Sequence, residues 1–275
     1  MSLSASAQDE DVLRPRGSNS SNARRGSSSS SSSTPIIFGI EAGLNFNMFS
    51  QTMSGLLPDS RFAMLASGNG ISPFVGAFVD IEVAHNLGLQ IKLAYDQKKF
   101  GSTGDAIMDC PALGTGAIVD ANITGENTST ITYIDLTPQL RWNITPELFL
   151  LVGPTAHFQL GNATGTFSET VTSAGDCYFN AGKPNQSKTS TITIDSLSTI
   201  APRFGAQIDL GYTFILSPSM FLVPKVGYQY MFTKFADDVS SFDNSREPSL
   251  GLVPITATNK TLHSLQFTLG LWFQL

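Results

Sequence analysis

Residues 261–275 read TLHSLQFTLGLWFQL. Leu265, Phe267, Leu269, Leu271, Phe273 and Leu275 fall on every second position, with Gln266, Thr268, Gly270, Trp272 and Gln274 between them. Successive side chains of a β-strand point to opposite faces, so a period of two marks a strand with one apolar face and one small or polar face. The apolar stripe carries no charge, and the sequence ends on it. Water is a poor neighbour for such a stripe. Hydrocarbon is a good one, with the small and polar residues turned into the lumen of a barrel.

Composition agrees. The chain has 275 residues and is 41% hydrophobic, and it lacks any run near the roughly 20 apolar residues of a spanning helix. That excludes a helical membrane protein but not a barrel, whose strands are only half apolar. Charged residues make up only 14%, while Gly (24) and Phe (19) are plentiful, as suits a curved sheet with aromatic girdles. A net charge of −6 argues against nucleic acid as a partner.

The same alternation recurs seven more times. The first strand, FGIEAGLNFNM, turns Phe38, Ile40, Ala42, Leu44, Phe46 and Met48 out, and Gly39, Glu41, Gly43, Asn45 and Asn47 in. A polar connection over about 49–72 follows. The second strand directs Val75, Ala77, Val79, Ile81 and Val83 outward and Asp80 and Glu82 inward. His85-Asn86 turns the chain into the third, with Leu87, Leu89, Ile91, Leu93 and Tyr95 out and Lys92 and Asp96 in. A second long connection, 97–129, contains Cys110. The fourth strand places Asp135, Thr137, Gln139 and Arg141 inside, and the fifth places His157 there. A third long connection, 161–199, contains Cys177. The sixth turns Arg203, Gln207 and Asp209 in, the seventh Lys225 and Gln229, and a fourth connection over about 234–260 leads to the closing strand.

Eight strands joined alternately by long connections and short turns predict an eight-stranded antiparallel up-and-down transmembrane β-barrel, all-β. Bacterial outer-membrane barrels keep long loops outside and short turns in the periplasm. The outward stripes carry no charge, and a charge there costs roughly 2–4 kcal/mol at the bilayer midplane. Outer-membrane lipid is therefore the expected surrounding. An eight-stranded lumen is just wide enough for side chains to fill, and buried charges pair. Glu41, Asp80, Glu82, Asp135 and Asp209 against Lys92, Arg141, Arg203 and Lys225 thus read as an interior charge network. Pro138, Pro154 and Pro224 fall mid-strand, where a bulge or a missing ladder bond is expected.

Residues 1–34 are Ser-rich and nearly free of large apolar residues, a composition that stays disordered. Ala5-Ser6-Ala7 has the small-x-small form of a signal-peptidase site without a preceding apolar region. It is either the remnant of a signal peptide or a chance match in a Ser/Ala-rich tail. The barrel domain is expected over 35–275.

The blocks ISPFVGAFVDIEVAHNLGLQIKLAYDQKKFG and YIDLTPQLRWNITPELFLLVGPTAHFQLG, with FGIEAGLNFNMF at the start and LHSLQFTLGLWFQL at the end, resemble the PorT-like outer-membrane β-barrel family of Bacteroidota and relatives. The motifs that carry the resemblance are Pro138, Gly153-Pro154 and the first-strand Ala-Gly-Leu-Asn. It implies export and insertion by the barrel-assembly machinery. One departure is the final Leu275, where many such proteins carry an aromatic residue. Members mostly lack an assigned activity.

Chemistry within this frame is sparse. His157 with Asp135, Asp209 and Glu82 offers the makings of an acid–base couple, but a structural interior accounts for the same residues. His85 and His263 fall near strand ends, and three scattered histidines form no metal motif, so neither metal nor cofactor is expected. Sequons at Asn122, Asn162 and Asn259 need no explanation in Thr/Asn-rich bacterial loops. Cys110 and Cys177, on the same side of the barrel, are expected to pair in an oxidising compartment. The expected role is a non-enzymatic surface or structural barrel whose loops meet an unidentified extracellular ligand. The alternatives are a narrow pore and a lipid-modifying enzyme.

Overall fold

The computed structural model describes residues 35–55, 66–111, 115–172, 187–194, 202–236, 238 and 255–275. Among them are β1 (Ile36–Gly55), β2 (Ser67–Ala84), β3 (Leu87–Pro111), β4 (Ile118–Asn143), β5 (Leu148–Gln159), β6 (Ala163–Val171), β7 (Ser187–Ile194), β8 (Arg203–Tyr212), β9 (Phe214–Ser217), β10 (Met220–Met231) and β11 (Ile255–Gln274). No helix among these residues is long and apolar enough to cross a membrane, which says nothing against crossing by strands.

Eight of the strands close a ring of antiparallel pairs: β1–β2–β3–β4–β5–β8–β10–β11 and back to β1. A closed ring leaves no unpaired edge in hydrocarbon, which is why only barrels cross membranes as sheets. The alternation reads directly in the burial. On β3, Leu89, Ile91, Leu93 and Tyr95 are exposed while Gln90, Lys92, Ala94 and Asp96 are buried. Most exposed aromatics lie toward the two ends of the barrel, with Phe267 between them. Phe38 stacks on Phe273 and Tyr212 tilts against Phe214 near the short turns. Tyr230 meets Phe232 near the long connections. Two such girdles bounding an apolar band are the pattern of a bilayer-spanning barrel.

Two of the connections expected as loops, 97–129 and 161–199, contain strands among their described residues. The segment 97–129 forms a hairpin: β3 runs to Pro111 and β4 starts at Ile118, in register from Gly101↔Thr128 to Pro111↔Ile118. The segment 161–199 contributes β6, which pairs with β4 from Ile123↔Val171 to Thr130↔Thr164, and β7, which pairs with β6. β1 and β11 also run past the expected ends, pairing as far as Gly55↔Ile255. Thr, Ser and Gly-rich sequence with weak apolar alternation reads as loop, but a strand can continue by extending a ladder already begun. The expectations for 1–34, for the signal-peptidase site and for Cys177 fall outside the described residues. Cys110 stands near the end of β3, opposite Val119.

The mid-strand prolines coincide with pauses in the ladder rather than register shifts. β4 and β5 pair at Leu136↔Ala156 and again at Leu140↔Val152, with Pro138 and Pro154 in the interval. A Cβ on Gly153 would collide with the Pro138 carbonyl, so glycine is required where the two strands draw together. Pro224 lies between Lys225↔Gly211 and Leu222↔Phe214, which is where β8 gives way to β9. A similar pause separates Asn69↔Gly101 from Phe74↔Asp96 beside Pro73. There Asn47 Nδ2 donates to the Lys99 carbonyl at 2.9 Å and Ser72 Oγ donates to that of Gln97, so side chains replace the lost ladder bonds.

Candidate functional site

The interior is layered. Near the short turns, Phe78, Phe149, Leu151, Val223 and Trp272 form an apolar cluster, with Trp272 4.9 Å from Phe78 and 5.1 Å from Phe149, ring centre to ring centre. Gly39 and Gly211 permit it, because a Cβ on either would collide with the Phe78 or Phe149 ring. Toward the long connections lies a second apolar cluster that includes Phe49, Phe100, Tyr133, Met231, Phe235 and Leu262. Phe100 and Phe235 meet edge-on at 5.2 Å.

Polar and charged side chains fill the space between. Glu41 is buried between two lysines: Lys92 Nζ lies 3.4 Å from its Oε1, and Lys225 Nζ donates to its Oε2. Arg141 grips Asp80 through Nε and Nη2, both at 2.9 Å, and donates through Nη1 to Asn143 at 2.7 Å. This planar two-point contact is the strongest geometry open to such a pair. Asp209 takes amide hydrogens from Gln139 (2.7 Å) and Gln207 (2.8 Å). Asp135 lies 2.7 Å from His157 Nδ1. Arg203 is buried opposite His157 in the ladder. Glu82 sits half-exposed by the β2–β3 turn, opposite Gly88, and not among these pairs.

Sequence reasoning placed Asp96 inside without giving it a partner, and missed Lys98. Lys98 Nζ lies 2.9 Å from Asp96, 2.6 Å from Gln229 Oε1 and 3.0 Å from Ser264 Oγ. Ser264 donates onward to Asn47, and Asn45 donates to Asp96 at 2.6 Å. The signal was available, because Lys98 and Phe100 continue the even-numbered inward phase of β3 past its expected end.

The His157–Asp135 couple has the spacing of a catalytic dyad, but His157 is 0% exposed and its ring lies 5.7 Å from that of Tyr133, a member of the outer apolar cluster. A couple sealed in this way presents no atom to an incoming substrate. His85 is exposed at its turn. His263 does not lie at a strand end: it stands within β11, 5.9 Å from the Tyr228 ring and 6.2 Å from that of Tyr230. Asn122, Asn162 and Asn259 are all exposed.

Beyond the outer cluster the sheet continues. β5 ends at Gln159, opposite Tyr133, while β4 runs on to Ile118 with β3 on one side and β6 and β7 on the other. At about 3.3 Å per residue, residues 118–130 span roughly 40 Å along the strand. The fold is thus a closed barrel with a filled interior, carrying a sheet that stands out past one end.

A lipid-facing band, two aromatic girdles and an inside-out charge distribution define an outer-membrane β-barrel. The family described as "Outer membrane protein beta-barrel domain" matches residues 20–214, more than half of the chain, and the protein belongs to that family. Its place is the bacterial outer membrane. Among solved structures it is similar to Ail, the attachment invasion locus protein of Yersinia pestis, in complex with the heparin analogue sucrose octasulfate. The identity is 12%, covering 86% of this chain and 99% of that one, with a TM-score of 0.33. Neisserial surface protein A is similar at 12% identity, over 86% of this chain and 96% of that one, with a TM-score of 0.31. So is the outer membrane protease OmpT of Escherichia coli, at 8% identity, over 88% and 97%, with a TM-score of 0.37. No curated protein matches the chain.

Proposed function

We propose that the protein is a non-enzymatic surface-interaction barrel, which holds an extended β-sheet outside the membrane for an extracellular ligand. The observation that carries this reading is the four-strand sheet β3–β4–β6–β7 running on beyond the end of β5. Strands stiffened by a barrel make a rigid platform, and a loop-borne binding surface gains from resting on one. The two apolar clusters speak against the narrow-pore alternative, since an apolar constriction excludes water and ions. The burial of His157 speaks against the enzymatic alternative.

The test is a shortened hairpin. Residues 105–124 are replaced by a two-residue Asn-Gly turn between the paired Gly104 and Gly125, a turn that suits a two-residue hairpin. Cells displaying the intact chain are expected to adhere to immobilised extracellular-matrix proteins or glycans. Cells displaying the shortened chain should lose most of that adhesion while the barrel still migrates as folded in detergent. Undiminished adhesion would remove the proposal.

Two finer points belong to the same reading. Kinship with the PorT-like branch rests on Pro138, Gly153-Pro154 and the first-strand Ala-Gly-Leu-Asn; an alignment in which these positions fall outside the branch would end it. Insertion by the barrel-assembly machinery fits the β1–β11 closing seam, and depletion of that machinery should leave the chain unfolded in the periplasm.

A further inference from the structure

On the lipid-facing side, an apolar groove of about 560 Å3 crosses five adjacent strands, β1, β11, β10, β8 and β5. It follows one register row: Gly43 pairs with Thr268, Thr268 with Lys225, Lys225 with Gly211 and Gly211 with Phe149. The side chains of Thr268 and Lys225 point inward and are buried, so the floor is backbone and the walls are the outward residues of the flanking rows. Those walls include Leu44, Phe267 and Val226 on one side and Ala42, Leu269 and Pro224 on the other. Ala42 and Pro224 are the short members that widen it.

Its position identifies what fills it. The groove is continuous with the lipid-facing band, so its surroundings are acyl chains rather than water. Five strands at about 4.8 Å spacing make it roughly 20 Å long. Strands tilted by 35–45° give the row a rise of roughly 13 Å, close to half of the roughly 30 Å hydrocarbon core. At its low end, Leu148 and Tyr212 lie next to the short turn between β4 and β5 and to the end of β8. Short turns face the periplasm. The high end, at Ala42 and Leu44, is well inside β1. A chain lying in this groove therefore enters from the periplasmic girdle and ends near the bilayer centre.

We propose that the groove seats one acyl chain of a glycerophospholipid from the periplasmic leaflet, with the Tyr212 level facing its headgroup. The occupant is a phospholipid rather than lipid A, because the open end lies at the periplasmic girdle. A second copy of the chain is the competing occupant. This inference needs only the membrane placement and is independent of the surface-binding proposal.

The full-length protein, reconstituted into nanodiscs containing palmitoyl-oleoyl phosphatidylethanolamine and lipid A, is released and weighed by native mass spectrometry. Wild type is expected to keep one phosphatidylethanolamine. Ala42→Phe and, independently, Val226→Trp fill the groove and should lower the bound-to-free ratio roughly tenfold, a difference of about 1.4 kcal/mol. Ala77→Phe, an exposed alanine on β2 outside the groove, should leave the ratio unchanged. Heat-modifiable migration confirms that each variant is folded, and two fillers on different strands guard against loss of one. Equal retention in all four proteins, retention of lipid A alone, or a wild-type dimer that Ala42→Phe dissociates would each overturn the assignment.

Discussion

Ile91→Lys is expected to block stable insertion, while Gln90→Lys, one residue away, leaves most of the protein folded in the membrane. The two positions share a strand and a depth and differ in face: Ile91 is 49% exposed on the outside, and Gln90 is 0% exposed on the inside. A lysine on the lipid face near the midplane costs roughly 2–4 kcal/mol. At Gln90 the ammonium enters a polar interior, where its cost is limited to fitting beside existing charges. The heat-modifiable folded fraction in isolated outer membranes measures both. Equal losses would mean that the two faces are not lipid and lumen.

The second large effect is expected from Glu41→Leu. Glu41 lies against both Lys92 and Lys225, and all three are buried. Removing it leaves two buried ammonium groups facing each other. Breaking a buried pair from one side costs about 3–5 kcal/mol, and here two lysines lose the same partner. The urea midpoint of the refolded barrel in lipid vesicles should fall accordingly. Adding Lys225→Met to Glu41→Leu should recover part of the loss, because it withdraws one of the uncompensated charges. A double variant no more stable than the single one would show that Lys225 does not depend on Glu41.

These effects rest on features that differ in how far the sequence shows them. The ring was legible because hydrocarbon outside and packed polar groups inside impose opposite demands on alternate residues. Glu41, Lys92, Asp135 and Arg141 therefore announce their face by parity alone. Which charge meets which was not legible, since pairing depends on height and stagger around the ring. Glu41 takes Lys225 from the seventh ring strand, and Asp209 draws hydrogen bonds from Gln139 and Gln207 on two different strands. The hairpin of β3 and β4 was hidden for another reason. Outside the membrane neither face is held to a lipid standard, so Thr, Gly and Asn replace the apolar stripe and alternation fades while the ladder continues. Inward parity persisted in Lys98 and Phe100, and following it would have extended β3. The apolar cluster at Trp272 was half visible: its inward parity was clear, but its partners Phe78 and Phe149 lie on other strands.

The most direct measurement of the central claim is the environment of successive positions along β3. Single cysteines at 89 to 94, in a chain whose Cys110 and Cys177 are replaced by serine, carry a nitroxide whose collisions with oxygen and with a water-soluble nickel complex are recorded in lipid bilayers. At Leu89, Ile91 and Leu93 the labels should collide freely with oxygen and hardly with nickel. At Gln90, Lys92 and Ala94 they should be shielded from both, giving a period of two. High nickel accessibility at the odd positions, or no alternation at all, would contradict a filled barrel facing lipid.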